Sequence, residues 1–379
     1  MHLDRQRLWR NPLALSLALL ALVMASLALI SPWEELRRRA AAETVETVVA
    51  EVLEVLEEGT VPVGEGMSQP YQRLRLRLLE GAQAGDEVIV EDGTVRFAAV
   101  DRRFRPGDRV YVQLTARPEG AQFYITEIVR GGPLLALALG FVAVVTLVGR
   151  GKGLRSLLGT AFSLGVIFLF VVPQVLVGRD PLLVSIIGAV VLLAVSTYLV
   201  YGWNPKAHAA LGGMMLSLLL TAVLASLAVS AARLTGLGAE ESFYVVVQLG
   251  PDVRFQRLAL GGIIIGSLGI LGDVCVSQAS AVFELHAANP ELGWAELYRR
   301  GFHIGQDHIA ASVNTLLLAY MGASMPLMLL FLIYQEPLAR RINREPVAEE
   351  IVRTLVGSVG LVLAVPITGL IAALMASRR

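Results

Sequence analysis

Apolar runs long enough to cross a bilayer fill most of this chain, and that restricts its fold more than any motif does. Candidate spans lie at 13–30, 133–149, 156–177, 182–202, 208–232, 258–283, 309–334 and 352–376, about eight in all. Hydrocarbon offers no partner to a free backbone amide, so each is predicted to be a helix. Composition agrees: 379 residues that are 55% hydrophobic and 17% charged are too apolar for an ordinary soluble protein. The lipid bilayer is therefore the first partner. A net charge of zero gives no reason to expect nucleic acid. A single cysteine, Cys275, excludes an intrachain disulfide and any multi-cysteine metal site, and reads as a buried, inert thiol.

Between the first two spans the pattern changes. Residues 72–79 read QRLRLRLL, polar and apolar in strict turn, which predicts a half-buried strand. Further strands are expected at 45–56, 87–90, 109–115 and 123–129, separated by turn residues such as Asp92-Gly93 and Pro106-Gly107-Asp108. Arg73, Arg75 and Arg77 read as a solvated strand face. The expected organisation is an N-terminal transmembrane anchor and linker over 1–39, a small all-β domain (OB-like or a sandwich) over 40–130, and a seven-helix transmembrane domain over 131–379. Basic residues near the span ends divide eleven to eight in favour of the N-terminal side. That bias places both termini inside a bacterial cytoplasmic (inner) membrane and the β-rich domain outside it.

One acid stands inside a span. Asp273 belongs to LALGGIIIGSLGILGDVCVSQASAVF, residues 258–283. A charge at mid-bilayer costs about 2.5 kcal/mol or more, so an intramembrane acid is expected to face a bundle interior or a water-filled path. Asp273, Ser277, Ser280 and Glu284 follow a 4-3-4 spacing that puts them on one helix face, though Glu284 reads equally as the interfacial end of the helix. Gly262, Gly266, Gly269 and Gly272 precede the acid. Small residues let a neighbouring helix, or a second copy in a homo-oligomer, approach closely. So many glycines beside an acid also permit a broken helix of the kind found at transporter ion sites.

A polar linker is expected after this span, with a short surface helix at 291–300 and GFHIGQDH leading into the next span. His303 and Asp307 are four apart, a spacing that can hold a divalent cation or relay a proton and equally suits a solvated helix start. Which metal such a pair would take is not fixed by the spacing. Asn314 lies in apolar sequence and calls for an interhelical partner, with Asp273 or Ser277 the plain candidates.

Three stretches carry a resemblance to a known family: GDVCVSQASAVFELHAANPEL (272–292), IGQDHIAASVNTLLLAYMGASMPLMLLF (304–331) and EPVAEEIVRTLVGSVGLVLAVPIT (345–368). Here the chain resembles the YibE/F-like family of bacterial integral membrane proteins. The resemblance implies a polytopic, permease-like membrane protein. It brings no substrate, mechanism or cofactor with it.

The expected function is transport of a small solute or ion, with proton coupling, along a polar path around Asp273. The alternative is a membrane-anchored binding or scaffold protein whose β-rich domain recognises an envelope partner. An intramembrane enzyme is disfavoured: no second aspartate in a comparable setting pairs with Asp273, and neither HExxH nor a Walker A loop occurs. The chain is thus expected to be neither an enzyme nor a cofactor-binding protein.

Overall fold

A computed structural model describes residues 23–27, 29–36, 46–64, 67–94, 103–117, 120–249, 253–333 and 336–378. Contacts divide the chain into two compact units, 37–148 and 1–36 together with 149–379.

The alternating stretches of the first unit form one antiparallel sheet. Its strands are β1 (Glu46–Gly64), β2 (Met67–Leu78), β3 (Glu87–Asp92), β4 (Arg109–Arg117) and β5 (Gly120–Ile128), in the order β3-β2-β1-β4-β5. β1 pairs with both β2 and β4, and register shifts at Val52/Glu54 and Val55/Glu57 bend it. This is the strand order of an OB-type barrel. β3 and β5 approach each other, but no ladder joins them among the described residues, so the sheet is a half-barrel rather than a sandwich. Leu74, Leu76 and Leu78 point inward onto Val52, Val110, Val112 and Phe104. Arg73, Arg75 and Arg77 point outward, 3.9, 3.6 and 3.3 Å from Glu91, Glu54 and Glu87. These are exposed pairs of small energetic weight, as a solvated face requires.

Helix runs from Gly131 to Leu176 through α1 (Gly131–Val166), a π turn at Ile167–Val171 and α2 (Val172–Leu176). Those 46 residues would be about 69 Å long at about 1.5 Å per residue, twice the thickness of a hydrocarbon core. Arg150 breaks the run with non-helical angles (φ 48°, ψ −134°), so the loop expected between two spans shrinks to one residue. Residues 13–22 of the expected first span lie outside the described residues. Leu27, near its end, packs with Phe162, Val166 and Val184.

The remaining helices are α3 (Pro181–Tyr201), α4 (Pro205–Ala231), α5 (Glu240–Leu249), α6 (Phe255–Ala288), α7 (Trp294–Ala323), α8 (Met325–Ile333), α9 (Leu338–Ile342) and α10 (Glu345–Ala376). Among the described residues five helical stretches are long and apolar enough to cross a membrane, or six if α7 and α8 count as one bent span. Asp180 caps α3, accepting from Leu182 N at 3.1 Å and Leu183 N at 3.3 Å, and it pairs with Arg257. Burial pushes its pKa up, but the Leu183 amide and the Arg257 guanidinium outweigh that and hold the carboxyl below the usual range.

Two expectations need correction here. The surface helix expected at 291–300 begins at Trp294 and runs on through the polar entry at 301–308 as the first half of α7, so Asp307 lies well inside a helix rather than near its start. The span expected at 309–334 is bent instead of straight: α7 and α8 meet at 70° across Ser324. Pro326 has no N–H for the Gly322 carbonyl and its ring crowds the preceding turn, which accounts for the break.

α6 is the central helix of the second unit and touches α3, α4, α7 and α10. Its inner face carries Leu268, Leu271, Val274, Cys275, Gln278, Ala279 and Val282. Gln278 is 3% exposed, and its Nε2 donates to the Gly301 carbonyl at 3.0 Å. A Cβ on Gly305 would collide with Val365 and with Gln278, and one on Gly369 would lie 3.0 Å from Gln278 Nε2. Gly213 faces Thr368 and Gly360 faces Thr221 in the same way. The close approaches of this bundle therefore use glycines of α4, α7 and α10, together with Gly261 of α6, which faces Ser185 of α3.

Gly262, Gly269 and Gly272 of α6 meet nothing within 4 Å, and Gly266 meets only the Tyr320 hydroxyl, at 3.5 Å. Among the described residues the face expected to pack is open. Overpacking costs about 1–3 kcal/mol. Gly305→Ala should therefore lower the thermal midpoint of the detergent-solubilised protein by several degrees, while Gly269→Ala should leave it unchanged; a fluorescence melting curve of each variant reads the difference.

Candidate functional site

α6 divides its residues cleanly. Positions 271, 274, 275, 278, 279 and 282 are buried, whereas Gly262, Gly266, Gly269, Asp273, Ser277 and Glu284 are exposed, with Ser280 half-buried. The helical period makes these seven a single stripe of glycine, serine and acid. The sequence predicts the stripe; the structure turns it away from the chain's own core. Among the described residues no hydrogen bond or ion pair engages the Asp273 carboxylate, and the Tyr201 hydroxyl at the end of α3 lies within its electrostatic reach.

Asp273 is not on a flat surface. It lines a groove of about 700 Å³ between α6 and α7, together with Gly269, His308, Ser312, Thr315 and Tyr320. The rest of the wall is apolar: Ile270, Val274, Leu316, and the alanines at 311, 319 and 323. His308 Nε2 is shut off from solvent and, among the described residues, has no hydrogen-bond partner. A buried imidazole nitrogen without a partner is costly, so this one is available to an incoming group. The groove thus holds one unpaired acid, one unpaired imidazole edge and hydroxyls in apolar surroundings. That set can bind a small polar or cationic group and exchange protons with it.

The other sequence candidates are placed elsewhere. Glu284 accepts a hydrogen bond from Lys206 Nζ at 2.9 Å, an exposed pair at the ends of α6 and α4, which favours the interfacial reading over the path. His303, Asp307 and Asn314 are exposed on α7 and do not line the groove. Their positions fall roughly a quarter to a half of a turn around α7 from His308 and Ser312. Asn314 bonds neither Asp273 nor Ser277. Among the described residues no group of three or more His, Cys, Asp or Glu side chains could hold a metal ion.

The residues that replace them, His308, Ser312 and Thr315, carried a signal of their own. They repeat the 4-3 spacing of Asp273, Ser277 and Ser280 on the next helix. Also absent from the sequence candidates is Glu349. It lies in the first turns of α10 at 6% exposure and pairs with Arg353 Nη2 at 3.0 Å.

A family model described as "YibE/F-like protein" matches residues 137–378. The chain belongs to that family, and every groove residue falls within the match. No curated protein and no solved structure matches the chain.

Thiol labelling separates the faces of α6 and α7. Cys275 is 0% exposed, so in the folded protein it should resist a water-soluble maleimide and react only after denaturation. With Cys275 replaced by alanine, Asp273→Cys and Ser312→Cys should label in intact vesicles. Asn314→Cys, on a flank that would meet lipid, should label at least tenfold more slowly.

Proposed function

We propose that this YibE/F-like protein is a permease that carries a small solute or ion, with proton coupling, along the groove between α6 and α7. The observation that supports this is Asp273: a carboxylate in the middle of a membrane-length helix, unpaired among the described residues and opening onto a groove whose volume lies in the ligand-binding range. An acid in lipid is retained against a cost of about 2.5 kcal/mol or more, and a hydrated path removes most of that cost. Asp273 and His308 are the proton-exchanging groups, and Ser312, Thr315 and the Tyr320 phenol are the neutral donors and acceptors beside them.

The protein lies in a bacterial cytoplasmic membrane with its half-barrel outside, as the distribution of basic residues favours. The groove is open along the α6 stripe. Gly262, Gly266 and Gly269 leave room for a helix of a second copy, which would seal the path from lipid. A second reading, a membrane-anchored binding protein, draws on the OB-like strand order of the half-barrel.

Proteoliposomes loaded with a pH dye and given a panel of small amines, carboxylates and inorganic ions test the transport reading. At least one solute should drive proton movement that depends on the protein, and Asp273→Asn should slow it at least tenfold while Asp307→Asn leaves it within twofold. Unchanged flux in Asp273→Asn would remove the path from this groove. Retained flux after deletion of 46–128 would count against the binding-protein reading.

A further inference from the structure

A second cavity lies in the crook where α7 turns into α8. It holds about 440 Å³ against the first turns of α10. Its walls are apolar, with Leu327, Met328, Ile351 and Leu355 prominent, and two aromatic rings, Tyr320 and Phe331, also face it. Glu350 is the sole charged side chain among its lining residues. Glu350 and Glu349 share one cation: Arg353 Nη1 is 3.0 Å from Glu350 and Nη2 is 3.0 Å from Glu349. Two carboxylates on one guanidinium leave one negative charge in excess. Among the described residues Glu349 Oε2 is buried with no hydrogen-bond partner; it lies beside Gly238 and outside the crook, so Glu350 carries the negative charge that the cavity meets. Arg341, over the Phe331 ring at 4.7 Å, lines the neighbouring cleft and not this one.

Carboxylate, aromatic faces and hydrocarbon walls together select a particular ligand chemistry. Attraction between charges strengthens as the surroundings become less polar. Aromatic faces attract cations, onium groups above all. Apolar walls favour a ligand that is itself mostly hydrocarbon. A divalent metal finds no ligand set here among the described residues, and a bare acyl chain makes no use of the charge. We propose that the crook between α7, α8 and α10 is a binding site for a hydrophobic monovalent organic cation, with Glu350 as its counter-ion and Tyr320 and Phe331 as its aromatic walls. The site does not depend on the transport reading. Tyr320 also lines the Asp273 groove, so the two cavities adjoin across one side chain.

The test is equilibrium binding of tetraphenylphosphonium to the full chain in detergent, with protein-free micelles as the reference and tetraphenylborate as the isosteric anion. The chain should bind the cation at least tenfold more tightly than the anion. Glu350→Gln should abolish that preference while the folded protein keeps its melting temperature. Leu355→Trp, at a position 58% exposed and therefore tolerant of a larger side chain, should fill the crook and weaken cation binding at least tenfold. Asp273→Asn should leave binding unchanged, which keeps this result separate from the fate of the permease reading. Equal binding of both ions, absence of binding, or binding indifferent to both Glu350→Gln and Leu355→Trp would overturn the site; a co-purified phospholipid displaced equally by both ions would show a lipid crevice only.

Discussion

The intolerance of hydrocarbon for an unpaired carboxylate governs how this structure is to be understood. Asp273 sits about half-way along a 34-residue helix whose neighbours are Ile270, Leu271, Val274 and Val276. Had it faced the core, it would need a cation or several donors, and the buried face of α6 is instead mostly apolar. It faces outward instead, onto a groove floored by alanines and edged by His308, Ser312 and Thr315. An outward acid at bilayer depth is stable only where water or a second protein surface meets it. The same constraint explains the glycines: bulky side chains at 262, 266 and 269 would crowd the stripe that must admit that water or that surface.

What holds Asp273 in place is the packing on the other side of α6. Gln278, five residues on, is gripped between Gly301 and Gly305 of α7 and Gly369 of α10. Its amide satisfies a backbone carbonyl that a Pro or a larger side chain would displace. That fixes the rotation of α6 about its axis, and rotation decides whether the acid meets the groove or the core. Cys275 and Leu271 complete the buried face on the same turns. The site and its support are thus two faces of one helix, separated by the 3.6-residue period alone.

Much of this was legible in the sequence and some was not, for identifiable reasons. The half-barrel was legible because turn residues separate its strands and β2 alternates without error from Arg73 to Leu78. The long helices were legible because bilayer length is a simple rule. The stripe on α6 was legible in its spacing, but spacing cannot say which side of a helix has neighbours. The glycines show the limit well: of those before Asp273, Gly262, Gly269 and Gly272 look like a packing motif and are open while Gly261 packs on Ser185, and further close contacts belong to Gly213, Gly305, Gly360 and Gly369. GFHIGQDH was legible as the entry to the next span but not as the middle of a helix that begins at Trp294; its Gly301 and Gly305 are there for Val282 and Gln278. The bend at Ser324 had a local signal in Pro326. The burial of Glu349 had none, since it depends on contact with the Gly238 region more than a hundred residues away.

The most direct test of the central claim is a high-resolution density map of the protein in lipid nanodiscs, read at the α6–α7 groove. The account predicts water-sized peaks, or side chains of a second copy, within hydrogen-bond distance of the Asp273 carboxylate and His308 Nε2. Continuous acyl-chain density packed against Asp273, with no polar group near it, would contradict the account.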